Sequence, residues 1–130
     1  MDDDLEYLED PRILVLRTMR YKARLGGGSD RIAIQHSKGK LTARERLDAL
    51  LDANTFQELE PFVAQEGDVE GRASEHYLGD GVITGYGQID GRTVYLYAQD
   101  FTVYGGTLSE MQSHKICRVM DLAVRNGVPI

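Results

Sequence analysis

The Asp90-Gly91 dipeptide stands between two runs of strand-forming residues, 81–89 and 92–98, and limits the fold more than any other feature of the 130-residue chain. Two-residue Asp-Gly connections favour type I′ turns, whose positive φ at both central residues matches the right-handed twist of paired strands. A β-hairpin is therefore expected. Its second run, Thr93-Val94-Tyr95-Leu96-Tyr97-Ala98, is apolar on both faces, which predicts a strand inside a sheet with cover on each side. A helix must provide one cover. Leu108, Met111, Ile116, Cys117, Val119, Met120, Ala123 and Val124 recur at helical spacing behind Thr107-Leu108-Ser109-Glu110, which has the spacing of a capping box. Gly127 and Pro129 end that helix, and Val128-Pro129-Ile130 reads as the opening of another strand. The 130 residues are accordingly expected to be the front part of a longer design.

Upstream, Pro11 opens a helix-compatible run to Leu25, and Gly26, Gly27 and Gly28 close it. Ser29 is expected to cap a short helix through Ser37, broken by Gly39. Thr42-Ala43-Arg44-Glu45 predicts a capping box in which the Thr42 hydroxyl takes the Glu45 amide and the Glu45 carboxylate returns to the Thr42 amide. Leu47, Leu50 and Leu51 form the apolar stripe of that third helix. Phe56, Leu59, Phe62 and Val63 suggest a short strand or turn, and residues 66–77 read as a polar, glycine-containing loop expected to be mobile. The chain thus divides into an acidic N-terminus with a helical arm, residues 1–52, and the incomplete α/β core of residues 53–130.

A mass of 14.6 kDa suits one domain, and no apolar run approaches the ~18 residues of a membrane helix. The start MDDDLEYLED is acidic where a signal peptide would be basic and then apolar, and a lone Cys117 forms no internal disulfide. A cytoplasmic protein is expected, or one of the mitochondrial matrix if the source is eukaryotic. The net charge of −6 hides three blocks: residues 1–10 carry six acids and no base, residues 11–46 ten bases and two acids, and residues 47–130 five bases and thirteen acids. An anion could dock on the middle block. Nucleic acid is not expected there, since only Tyr21 interrupts the basic run as an aromatic and no binding module is recognisable.

Chemistry concentrates between the second strand and the long helix, at Gln99-Asp100-Phe101-Thr102-Val103-Tyr104-Gly105-Gly106. A glycine turn ahead of a helix N-terminus can aim backbone amides at developing negative charge, as an anion or oxyanion site does. The alternative is that Gly105 and Gly106 only permit the turn. Gly26, Gly27 and Gly28 lack the Lys-Ser/Thr pair and the preceding strand of a phosphate loop and read as a helix connector. Gly85-Tyr86-Gly87 lies within a strand and reads as a bulge. His36, His76 and His114 have no partner four residues away, so no metal site is expected, and Cys117 reads as a core residue. Lys38, Lys40, Arg44 and Arg46 are either a solvated surface or a phosphate contact.

Three stretches, GGGSDRIAIQHSKGKLTARERLDALLD (residues 26–52), GDGVITGYGQIDGR (79–92) and AQDFTVYGGTLSEMQSHKICRVMDLA (98–123), resemble the N-terminal part of biotin-dependent acyl-CoA carboxyltransferases, of the beta-chain type found in propionyl-CoA and acyl-CoA carboxylases. The resemblance implies an α/β fold: the N-terminal part of a crotonase-like fold of ββα units, preceded by the helical arm. It implies an enzyme that moves a carboxyl group from N1 of biotin, carried on a biotin carboxyl carrier or biotin carboxylase chain, to the α-carbon of an acyl-CoA such as propionyl-CoA or acetyl-CoA. No metal is implied, and a homo-oligomer is. By the same likeness Tyr104, Gly105 and Gly106 line the acyl-CoA and biotin pocket with Phe101 as a wall, while Lys40 and Arg44 face the phosphates of coenzyme A. Such proteins continue with a second glycine pair and a further domain that completes the active site across a subunit interface. The 130-residue chain alone is therefore expected to be inactive. The competing expectation is a non-catalytic assembly module whose helical arm binds a neighbour.

Overall fold

The hairpin forms in the register its turn dictates. Strands β2 (Val82–Ile89) and β3 (Arg92–Gln99) pair antiparallel from Val82 opposite Gln99 to Ile89 opposite Arg92. Asp90 and Gly91 both take left-handed conformations, φ 49° and 78°, as a type I′ turn needs. The Asp52 carboxylate clamps the turn by accepting from the Asp90 and Gly91 amides at 3.0 and 2.8 Å. The computed structural model describes residues 10–65 and 77–130. The acidic residues 1–9 and residues 66–76 of the loop expected at 66–77, His76 included, lie outside the described residues.

A short strand, β1 (Gln57–Leu59), pairs antiparallel with β2, giving the order β1-β2-β3. β3 is thus an edge strand of the described sheet, not an inner one, and several of its side chains stay exposed. Its two faces are nevertheless both covered. Alternation puts Ile83, Val94, Leu96 and Ala98 on one face, where helix α3 (Ala43–Leu50) packs Ala43, Leu47 and Leu51 against them. Helix α4 (Glu110–Asn126) covers the other with Val119 and Ala123. Each Val, Leu or Ile among them contributes about 1.5–3 kcal/mol when fully buried. Gly85 and Gly87 sit on the α3 face without any bulge, since the register runs through them unbroken. They are small because the neighbours are close: a Cβ at Gly85 would lie 2.2 Å from the Gln57 carbonyl, and one at Gly87 2.9 Å from Leu51.

Helix α1 (Pro11–Arg24) starts on Asp10, whose carboxylate accepts from the Arg12 amide, and it buries only Ala23. Helix α2 (Ser29–Ser37) begins differently from expectation: Gly28 at φ 95° is its N-cap, and Ser29 is already helical. The Thr42–Glu45 capping box is complete, with both reciprocal bonds present. Leu50, however, is 55% exposed, so the stripe of α3 is Ala43, Leu47 and Leu51. The cap of α4 is Ser109, which accepts from the Gln112 amide, and not Thr107, whose hydroxyl donates to Tyr104 O instead. The face of α4 that packs inward is Gln112, Lys115, Val119 and Ala123. Cys117, two residues and hence about 200° from both Lys115 and Val119, faces outward and is not core. After the left-handed C-cap Gly127, the chain returns along β3, where the Tyr95 amide donates to Pro129 O at 2.9 Å.

The two kinds of glycine separate in a melting experiment. Gly85→Ala meets backbone and should destabilise by about 2 kcal/mol or more, whereas Gly39→Ala has open space, pays only for φ 69° and should lose about 1 kcal/mol. Equal losses in thermal melting would contradict the close-packing explanation of Gly85.

Candidate functional site

The site is built where the open end of the hairpin meets the start of α4. The Asp100 amide donates to Gly81 O at 2.8 Å, extending the β2–β3 ladder by one rung. The buried Asp100 carboxylate then accepts from the Thr102 amide (2.9 Å) and hydroxyl (2.6 Å), which turns the chain sharply after β3. The Thr102 hydroxyl oxygen in turn accepts from the Gly27 amide at 3.0 Å. A Cβ at Gly27 would lie 1.9 Å from Thr102 O, and one at Gly26 2.3 Å from the Asp100 carboxylate. The glycine run between α1 and α2 is thus a connector pressed onto the back of the turn.

Tyr104, Gly105 and Gly106 follow as a 3-10 turn with three successive left-handed residues, φ 49°, 64° and 75°. For Tyr104 that conformation costs about 1–2 kcal/mol. Its ring meets Tyr77 edge-on at 5.1 Å, and Tyr77 is held by Arg31, which hydrogen-bonds its hydroxyl at 2.9 Å and lies 5.7 Å over its ring. The Gly106 amide is turned inward to Val103 O at 3.0 Å, so it supports the turn. The Gly105 amide donates to no acceptor among the described residues, and an added Cβ there would meet nothing within 4 Å. Phe101 is 58% exposed and flanks Gly106, 3.4 Å from where its Cβ would stand. The structure thus brings Phe101, Tyr104, Gly105 and Gly106 together. It does not bring Arg44 to them: that guanidinium forms a two-pronged pair with Glu58 at 2.8 and 2.9 Å and reaches Ala23 O, tying α3 to β1 and α1. Lys40 is exposed and bonds to none of them.

A second left-handed run backs the first. Gly79, Asp80 and Gly81 have φ 87°, 51° and 76°. The buried Asp80 carboxylate accepts from the Ser109 hydroxyl, which joins this loop to the cap of α4. Gly81 is pressed against Val103 and the Gln112 carboxamide, where a Cβ would lie 2.9 and 3.0 Å away. Gln112 donates to Thr107 O at 2.9 Å. Lys115, 2% exposed, completes the cluster by donating to Gly79 O (2.9 Å) and Val82 O (2.6 Å). Reading the sequence as an apolar stripe missed Asp80, Ser109, Gln112 and Lys115. The available signals were the Gly-Asp-Gly triplet and a cation four residues before Val119 on the covered side of α4.

Similarity to known proteins places the chain in a known class. Residues 34–130 match the carboxyl transferase domain, and the chain belongs to that family. It is 50% identical over its whole length to the propionyl-CoA carboxylase beta chain of Roseobacter denitrificans, and 49% identical over 119 residues, 92% of this chain, to the methylmalonyl-CoA decarboxylase alpha subunit of Veillonella parvula. Among solved structures it matches the transcarboxylase 12S hexameric core, solved with methylmalonyl-CoA bound, at a TM-score of 0.85 and 42% identity over 90% of this chain and 23% of that one. The α/β, crotonase-like expectation therefore stands. The chain spans 23–24% of the length of these relatives. Among the described residues no helix is long and apolar enough to cross a membrane.

Burial lowers the Lys115 pKa to about 8, against the opposing pull of Glu58, Glu60 and Asp80 and with a small further push from Arg44. Below pH 8 the lysine is charged whether folded or unfolded, so the folded state bears the whole desolvation cost. Between about 8 and 10.5 the unfolded chain holds the proton more tightly, so stability should rise with pH across that window, by up to about 3 kcal/mol. Denaturation of the complete protein and its Lys115→Met variant at several pH values measures this; a difference between them that stays flat from pH 8 to 10 would refute it.

Proposed function

We propose that this chain is part of the carboxyltransferase component of a biotin-dependent acyl-CoA carboxylase. The observation that carries the reading is the left-handed Tyr104–Gly106 turn with its open Gly105 amide, set between β3 and α4 in a chain of the carboxyl transferase family. Carboxybiotin on a partner chain supplies the activated carboxyl group. The acceptor is an acyl-CoA, and the relatives named for propionyl-CoA and methylmalonyl-CoA favour a short acyl group.

Carboxylation at an α-carbon requires loss of its proton, which places negative charge on the thioester oxygen. A fixed amide aimed at that oxygen acts more strongly on the transition state than on the ground state and so accelerates the step. In this reading Gly105 provides the amide, Gly106 holds the turn by bonding inward, Tyr104 is braced by Tyr77, and Phe101 walls the pocket. Lys40 meets a coenzyme A phosphate as a point charge, and Arg44, expected beside it, acts through its pair with Glu58. The arm of residues 1–52 exposes Ile13, Leu14, Val15 and Leu16 on α1, which favours contact with a neighbouring subunit in a homo-oligomer. A soluble compartment, cytoplasm or mitochondrial matrix, follows from the same reading.

In the complete enzyme, Gly105→Val should lower turnover about a hundredfold or more, the ~2.7–4 kcal/mol that one lost oxyanion donor removes, and Gly106→Ala at least about tenfold by displacing the turn that aims that donor. Melting must be followed alongside, because both glycines have positive φ. A variant that melts early yet keeps its specific activity would leave the glycines with the turn alone, and the assembly-module reading would gain. Lys40→Ala should raise KM for acyl-CoA with little change in kcat, an effect that fades in high salt; Arg44→Ala should instead lower stability.

A further inference from the structure

We propose that Lys115 is a positioning residue for carboxyl transfer: by holding the carbonyls of Gly79 and Val82 it fixes the loop against which the Tyr104–Gly106 turn is seated. This rests on the reading of the chain as part of a carboxyltransferase. Lys115 projects from the second turn of α4, and its two bonds, 2.9 and 2.6 Å, bracket the left-handed run of Gly79, Asp80 and Gly81. That run touches the turn on both of its flanks. Gly81 O takes the Asp100 amide and the Gly81 Cα packs on Val103, the residue before Tyr104. Asp80 takes the hydroxyl of Ser109, and Gly81 also abuts Gln112, whose carboxamide holds Thr107 O, the carbonyl just after Gly106.

Three left-handed residues in a row do not hold themselves: the two glycines are as free to take other conformations, and Asp80 gives up about 1–2 kcal/mol to adopt this one. Something must pin them. The carboxylates of Glu58 and Glu60 on and beside β1 and of Asp80 in the loop favour a cation at this place, while Arg44 from α3 opposes it. A buried ammonium is a poor device for stability alone, since apolar replacements of buried charges are often neutral or better. It is a good device for fixing two carbonyls at once, because even the neutral amine keeps two N–H donors.

The test uses the complete carboxyltransferase with its biotin-bearing partner, assayed well below the melting temperature. Lys115→Met, which keeps most of the apolar stem and loses both hydrogen bonds, should lower kcat by about tenfold to a hundredfold while KM for acyl-CoA stays within about twofold. Lys115→Gln, which keeps an NH2 donor group on a shorter arm, should fall between. Gly81→Ala, which displaces Val103 and Gln112 without touching the lysine, should show the same split. If both lysine variants melt lower but turn over at the wild-type rate, or if neither assembles, Lys115 is a folding element and the proposal is overturned. If the lysine variants lose kcat while Gly105→Val keeps it, the positioning role stands and the oxyanion reading falls; the reverse result removes only the lysine.

Discussion

The hydrogen bond from the Asp100 amide to Gly81 O decides where everything else sits. It carries the hairpin ladder one step past the assigned strands, so that the segments entering β2 and leaving β3 are locked side by side. Both are left-handed runs with a non-glycine member, Asp80 in one and Tyr104 in the other. The ladder thereby stacks two pieces of left-handed backbone at the end of the hairpin opposite the Asp90-Gly91 turn. The first turns of α4 close over both through Ser109, Gln112 and Lys115. Strain is affordable there because side chains reach it from three directions.

Local chemistry was readable from the sequence wherever the signal and the partner lie within a few residues. Asp90-Gly91 specified its turn, and Thr42 with Glu45 specified a helix start. The same rule misplaced the start of α4, where both Thr107 and Ser109 can cap: Thr107 is drawn back to Tyr104 O, and Ser109 is fixed by Asp80, 29 residues away. Cys117 and Leu50 were misread for a related reason. Their helices each bury a narrow face set by distant partners: Leu50 lies just off it and Cys117 nearly opposite, so both stay outside. Gly85 and Gly87 looked like a bulge because sequence alone does not reveal Phe56 and Leu51 pressing on them.

Of the site, the turn itself was legible and its support was not. Phe101, Tyr104, Gly105 and Gly106 are contiguous, so proximity is guaranteed by the chain. Asp80 and Lys115 join them only through the tertiary fold. The basic block was legible as composition and misleading as a surface, because Arg44 is neutralised by Glu58 and Arg31 is held by Tyr77. Charge counts do not distinguish a guanidinium that faces water from one that fastens two elements together.

The Gly27 contact with Thr102 has a consequence for how the molecule comes together. The hairpin closes across two residues, and α4 follows it directly, but the Gly27 amide meets the Thr102 hydroxyl across a separation of 75 residues. Bringing such distant segments together carries a larger loop-closure entropy and is slower than forming local contacts. The hairpin and its helix can therefore assemble early, with the arm docking afterwards onto the back of a turn already in place. Until it docks, that turn is held by the 79–81 loop and α4 but lacks its backing from the arm, so the order of folding is also the order in which the turn gains its rigidity.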